Sequence, residues 1–160
     1  MRVRLLDLDG SLPTQPILAA ALDEGWGQRV DMRAQADDLR LWARPGAMNV
    51  ARQALQSAGD PPGHGAGVNF LGSGDFHHLA VPLIDAAGEP ITVLHFDNHP
   101  AWVRFAPEYH CGSWVNRVLA MAHVRQVITI GPCSDDLSWP QFKGGNLAAL
   151  ADGHLQLYPW

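Results

Sequence analysis

The run Ile91-Thr92-Val93-Leu94-His95-Phe96-Asp97-Asn98-His99-Pro100 ends an apolar stretch by presenting a carboxylate and an imidazole two residues apart. Side chains alternate along a strand, so Asp97 and His99 are expected to point the same way from its C-terminal end. One hard oxygen and one borderline nitrogen together suit a divalent metal such as Mn²⁺ or Zn²⁺. Further candidates flank the pair: Gly74-Asp75-Phe76-His77-His78 upstream and Tyr109-His110-Cys111-Gly112 downstream. Each falls close to an expected strand or helix boundary, which points to a metal centre built on strand ends. An aspartate closing a buried strand must be solvated, paired or metal-bound. The plainer alternative makes Asp97 the cap of the following turn and leaves His99 bonded to a backbone carbonyl.

The elements that would hold these groups can be read from apolar spacing. Residues 3–6 form a short apolar strand closed by Asp7-Leu8-Asp9-Gly10-Ser11, and residues 15–21 read as a helix. Residues 25–44 are mixed and fit no single pattern. The spacing of Met48, Ala51, Leu55 and Ala58 predicts a helix over 47–58, entered through Pro45-Gly46 and ended by a Gly59-Asp60-Pro61-Pro62-Gly63 loop. Buried strands are expected over 68–71, 91–96 and 127–130, the last closing at Gly131, with helices over 77–86, despite Pro82, and over 113–123, with Ser113 as its N-cap. Short apolar strands alternating with helices indicate a parallel α/β sheet. In such sheets chemistry gathers beyond the C-terminal strand ends, where these polar clusters fall.

Composition bounds the function. The chain of 160 residues is long enough for one cored domain, and 47% hydrophobic with 17% charged residues is ordinary globular composition, not that of a disordered or fibrous chain. A formal charge of -5, with Lys143 the single lysine and no basic run, argues against a nucleic-acid partner. Cys111 and Cys133 make no disulfide framework and are expected as cytosolic thiols, Cys111 as a buried structural one. No apolar stretch reaches the length of a membrane span, and Asp7 and Asp9 interrupt the N-terminal apolar residues, unlike a signal peptide; the expected location is cytoplasmic. The closing run Leu155-Gln156-Leu157-Tyr158-Pro159-Trp160 is more apolar than a native terminus usually is, so the chain is expected to stop inside a larger domain. Trp102, Trp114 and Trp139 are expected to pack in the core or under loops.

Gly74-Asp75-Phe76-His77-His78-Leu79-Ala80 followed by Phe96-Asp97-Asn98-His99-Pro100-Ala101 resembles the first two metal motifs of the arginase/agmatinase (ureohydrolase) family, Gly-Gly-Asp-His-Ser and Asp-Ala-His-x-Asp. The resemblance puts the family's first metal histidine on His77, its bridging aspartate on Asp97 and its second metal histidine on His99. Residues 127–131 resemble the family's later strand ending in Ile-Gly, and His110-Cys111-Gly112 its His-Gly segment near the substrate, which makes His110 the candidate catalytic group. A three-layer α/β/α domain with a mainly parallel sheet is thereby implied, with residues 1–160 a single domain forming its N-terminal half. Implied too are a binuclear Mn²⁺ centre and a metal-activated hydroxide that attacks a guanidino or amidine carbon of a small-molecule substrate. The resemblance leaves room for a homo-oligomer.

Departures from the family pattern are specific. Phe76 stands at an acidic position, Ala101 stands where a third ligand carboxylate belongs, and no Asp-x-Asp follows Ile130, since Asp135 and Asp136 are adjacent. One metal position should therefore bind weakly. His78 would be a ligand in a shifted alignment, but a supporting or surface role is expected. A rival reading takes Val3-Arg4-Leu5-Leu6-Asp7-Leu8-Asp9-Gly10-Ser11-Leu12, which looks like the nucleophile motif of haloacid dehalogenase-like phosphatases. Asp7 would then attack phosphorus, Asp9 would move the proton, Asp135 or Asp136 would complete a Mg²⁺ site and Ser73 would bind phosphate. Against it, Lys143 follows the acidic pair instead of preceding it; a turn after the first strand, reversed at Gly10, explains Asp7 and Asp9 equally. A third reading is a ureohydrolase-like protein without catalysis, for which Ala101 and the missing Asp-x-Asp speak.

Overall fold

The computed structural model describes residues 2–59, 67–104, 106–107 and 109–160. In chain order these form β1 (Arg2–Asp7), α1 (Pro16–Asp23), β2 (Gly27–Asp31), α2 (Ala36–Leu39), β3 (Trp42–Ala43), α3 (Pro45–Ser57), β4 (Gly67–Phe70), a 3₁₀ helix (Gly74–Leu79), α4 (Ala80–Asp85), β5 (Ile91–Phe96), β6 (Tyr109–His110), α5 (Trp114–Leu119), β7 (Val124–Ile130), α6 (Pro140–Lys143), α7 (Leu147–Ala151) and β8 (Leu155–Tyr158). The chain falls into two compact units, Met1–Leu79 and Ala80–Trp160, and both are α/β with parallel strands.

In the first unit β1 lies between β2 and β4, parallel to both, with Leu5 opposite Arg29 on one side and Phe70 on the other. A central parallel strand is covered on both faces, and Val3, Leu5 and Leu6 are accordingly buried. Val3 and Leu5 pack with Leu12 and Leu18, the latter from α1, and with Leu22, Val68 and Phe70. Parallel neighbours require a crossover, which α1 supplies; Pro16 starts it where a missing N–H costs nothing. The crossover returns so tightly that a Cβ on Gly27 would sit 3.0 Å from Ala21 backbone and side-chain atoms. The ambiguous segment 25–44 thus holds the edge strand β2, one 3₁₀ turn (Arg33–Gln35), α2 and the two-residue strand β3. Its edge strand escaped sequence reading because Val30 is the sole large apolar residue of β2. The helix expected over 47–58 is α3, and residues 60–63 of the loop expected after it lie outside the described residues.

In the second unit the strand order is β5-β7-β8, all parallel, and α5 packs against β7 and α4. Trp114, Val115 and Val118 of α5 are buried, as are His95, Val127, Thr129 and Leu155 on the strands. The opposite face is open, and Leu94 (58% exposed), Phe96 (72%) and Tyr158 (56%) lie on it with Ile130. Phe96, Ile130 and Tyr158 are register partners and so form one row across the three strands. β5 is therefore an alternating strand, covered on one side, rather than the fully buried run its composition suggests. Pro82 falls in the first turn of α4, where the helix asks for no N–H from it. The expected helix over 113–123 is shorter, Trp114–Leu119, because the chain turns through residues 120–123 into β7. Ser113 occupies the N-cap position but does not cap. Its hydroxyl donates backwards to the Pro107 carbonyl at 3.0 Å and the His110 carbonyl at 3.4 Å, while the Val115 N–H is taken by the Ala101 carbonyl at 3.2 Å. Among the described residues no helix is long and apolar enough to cross a membrane.

Candidate metal centre at the end of the fifth strand

β5 ends by handing its hydrogen-bond ladder to Asp97, whose N–H reaches the Ile130 carbonyl at 3.3 Å. The chain then turns: Asp97 Oδ1 accepts the His99 N–H at 3.0 Å, an Asx turn, and the Asn98 carbonyl accepts the N–H groups of Cys133 and Ser134 at 2.9 and 3.1 Å. The loop after β7 thereby locks the turn after β5. The capping role considered for Asp97 is real, and it occupies one carboxylate oxygen from one direction.

The turn also gathers imidazoles. His99 Nδ1 lies 3.4 Å from Asp97 Oδ1, and His95 Nε2 lies 3.4 Å from Asp97 Oδ2. His95, Asp97 and His99 alternate along the chain, so one face of the strand end carries all three. Exposure rises outward along it, the side chains being 8%, 14% and 54% exposed. His95 is fixed from behind, its Nδ1 at 3.2 Å from the Thr129 hydroxyl and its ring edge-on to Trp114 with centroids 4.9 Å apart. Sequence reading missed His95 because a histidine inside an apolar run looks like a core residue. The signal was its spacing, two residues before Asp97.

No protein-family model matches the chain. Over 129 residues it is 27% identical to an uncharacterized protein of Thermotoga maritima. The match takes in 81% of this chain and 48% of that protein, so the chain spans about half the length of the curated relative it matches.

The remaining candidates are placed as follows. Asp97 and His99 come together; His77 belongs to the first unit, on the 3₁₀ helix, with an exposed side chain. His78 is fully buried beside Phe76 and Leu79 of the same turn, which corrects the expectation of a surface role. Tight 3₁₀ winding sends neighbouring side chains to different sides, so His77 faces out and His78 in. Phe76 is a core residue. His110 accepts the Gly112 N–H on Nδ1 at 2.9 Å, which leaves Nε2 as its protonated nitrogen when the ring is neutral. Cys111 is half-buried, not buried, with its sulfur 4.0 Å from His110 Nδ1, and Cys133 is exposed. Trp102 and Trp114 are buried as expected, whereas Trp139 is exposed beside Phe142.

Asp7 is wholly buried and paired with Arg29, whose Nε donates to Oδ2 at 2.9 Å, while Oδ1 accepts the Gly10 N–H at 2.9 Å. Gly10 supports that turn with φ of +76°. Asp9 accepts the Ser11 N–H at 3.0 Å and the Ser73 N–H at 3.3 Å. Hydrogen bonding from Ser11, then from Ser73, outweighs desolvation and holds the Asp9 carboxyl at about 2.

As a ligand set, the Asp97 carboxylate with the His99 imidazole beside it has the donor types that a borderline divalent ion accepts. It supplies a single negative charge, and among the described residues of either unit no group of three His, Cys, Asp or Glu side chains is arranged around one ion. The residues fit a weakly held ion completed by water.

Proposed function

We propose that this chain is a divergent ureohydrolase-like protein, part of a three-layer α/β/α arrangement, and that it serves hydrolysis of a linear C–N bond in a small guanidino or amidine substrate. The observation that carries this reading is the Asp97 carboxylate held between His95 and His99 at the C-terminal end of a parallel strand. A divalent ion such as Mn²⁺, when bound there, would supply an activated water. Asp97 would offer Oδ2 and the second lone pair of Oδ1, and His99 its Nδ1. On the substrate side the resemblance assigns His110, whose Nε2 would be the donor.

The test is Asp97→Ala: Mn²⁺ uptake followed by equilibrium dialysis should disappear, together with any release of urea or ammonia from guanidino compounds. Full metal content in that variant would overturn the reading. The small ligand set favours a second outcome beside it, metal binding without turnover by residues 1–160 alone, with at most one ion held weakly. Two tightly bound Mn²⁺ per chain would refute that. The phosphatase alternative draws no support from Asp7, since a nucleophile needs access that a buried, arginine-paired carboxylate lacks.

A further inference from the structure

His95 is neither part of the turn nor at the open end of the site, yet it is the best anchored of the three side chains on that face. Its Nε2 faces Asp97 Oδ2, and a carboxylate offers only lone pairs there. Two acceptors in contact would repel, so the stable neutral tautomer carries its proton on Nε2. Nδ1 must then accept, and the group beside it is the Thr129 hydroxyl, a donor at 3.2 Å. Thr129 is wholly buried in the middle strand of the sheet, and Trp114 closes the ring's edge. Hydroxyl, imidazole and carboxylate thus stand in the order of a nucleophile relay, but Thr129 has no access to substrate. What the chain of contacts can do is fix the direction of a carboxylate.

We infer that His95 is a positioning residue: held by Thr129 and Trp114, it turns the Asp97 carboxylate so that its outer lone pairs face the metal position beside His99. This rests on the reading of Asp97 as a ligand. Removing the imidazole takes away the contact to Oδ2 while the Asx bond to Oδ1 stays, and loss of such a supporting partner weakens metal affinity by about 10–100-fold.

Mn²⁺ binding to the 160-residue chain, measured by equilibrium dialysis alongside thermal melting, tests it. His95→Leu replaces a buried polar ring by an apolar side chain next to Trp114, so it should melt no lower than the parent yet bind Mn²⁺ at least about tenfold more weakly. His95→Gln keeps an N–H close to the Nε2 position and should recover affinity to within about threefold. Thr129→Val is isosteric and distant from the ion; it should weaken binding about fivefold, whereas Thr129→Ser should not. Parent-like affinity in His95→Leu or in Thr129→Val overturns the inference. So does a Gln variant as weak as the Leu variant, which would make the imidazole itself a ligand. Unchanged binding in Asp97→Ala, or none in the parent, would instead bring down the underlying reading, and the positioning role with it.

Discussion

At the scale of single residues, the carboxylates of this chain divide between Asp7 and Asp9, tied into turns and an ion pair, and Asp97, which stands between two imidazoles. Asp7 is the clearest of the first kind, since removing Arg29 leaves a buried carboxylate with Arg33 Nε still 3.7 Å away. Arg29→Ala should therefore cost about 2 kcal/mol in urea unfolding, less than a fully buried pair because Arg29 itself is partly exposed. Asp9 makes a pH prediction. Its carboxyl titrates at about 2 when folded against the usual 3.8, so the folded state binds fewer protons and unfolding takes them up. The stabilisation is complete above about pH 4 and is lost as pH falls towards 2. Acid melts of Asp9→Asn should accordingly lack this part of the slope, and an unchanged slope would refute it. Asp97 and His99 were legible in the sequence because a strand end forces polar groups into view. His95 was not, since a histidine inside an apolar run looks like core; its spacing two residues before Asp97 was the local signal, and its contact with Thr129, 34 residues away, gave none.

At the scale of elements, two glycines separate packing from propensity. Gly27 sits where α1 returns onto β2, and an added Cβ would meet Ala21 at 3.0 Å. Gly46 lies in the first turn of α3 with open space around it. Gly27→Ala should thus lower stability by about 1–3 kcal/mol and Gly46→Ala raise it by about 0.5–1 kcal/mol, a difference in sign that thermal melts would read directly. Helices with apolar spacing, such as α3, and strands with apolar runs, such as β1 and β7, were legible because burial and period coincide. β2 was not, because an edge strand needs little apolar surface. The start of α5 was misread in its cause: Ser113 has the right residue type, but the Val115 N–H is satisfied by Ala101, which adopts φ of +48° to present its carbonyl. A tertiary contact does there what the local sequence seemed to offer.

At the scale of the whole molecule, the parallel α/β character followed from the alternation of apolar strands and helices, and both units show it. What composition did not convey is that the sheet of β5, β7 and β8 is dressed on one side only. Leu94, Phe96, Ile130 and Tyr158 have the sequence of an interior and the solvation of a surface. For a residue in that position folding removes little surface from water, so the usual penalty for placing a polar side chain in a parallel strand should vanish. Phe96→Ser is expected to melt within a degree or two of the parent and, by shrinking an exposed apolar row, to need more polyethylene glycol to precipitate. A substitution that would ruin a strand covered on both faces should here improve the protein as a solute.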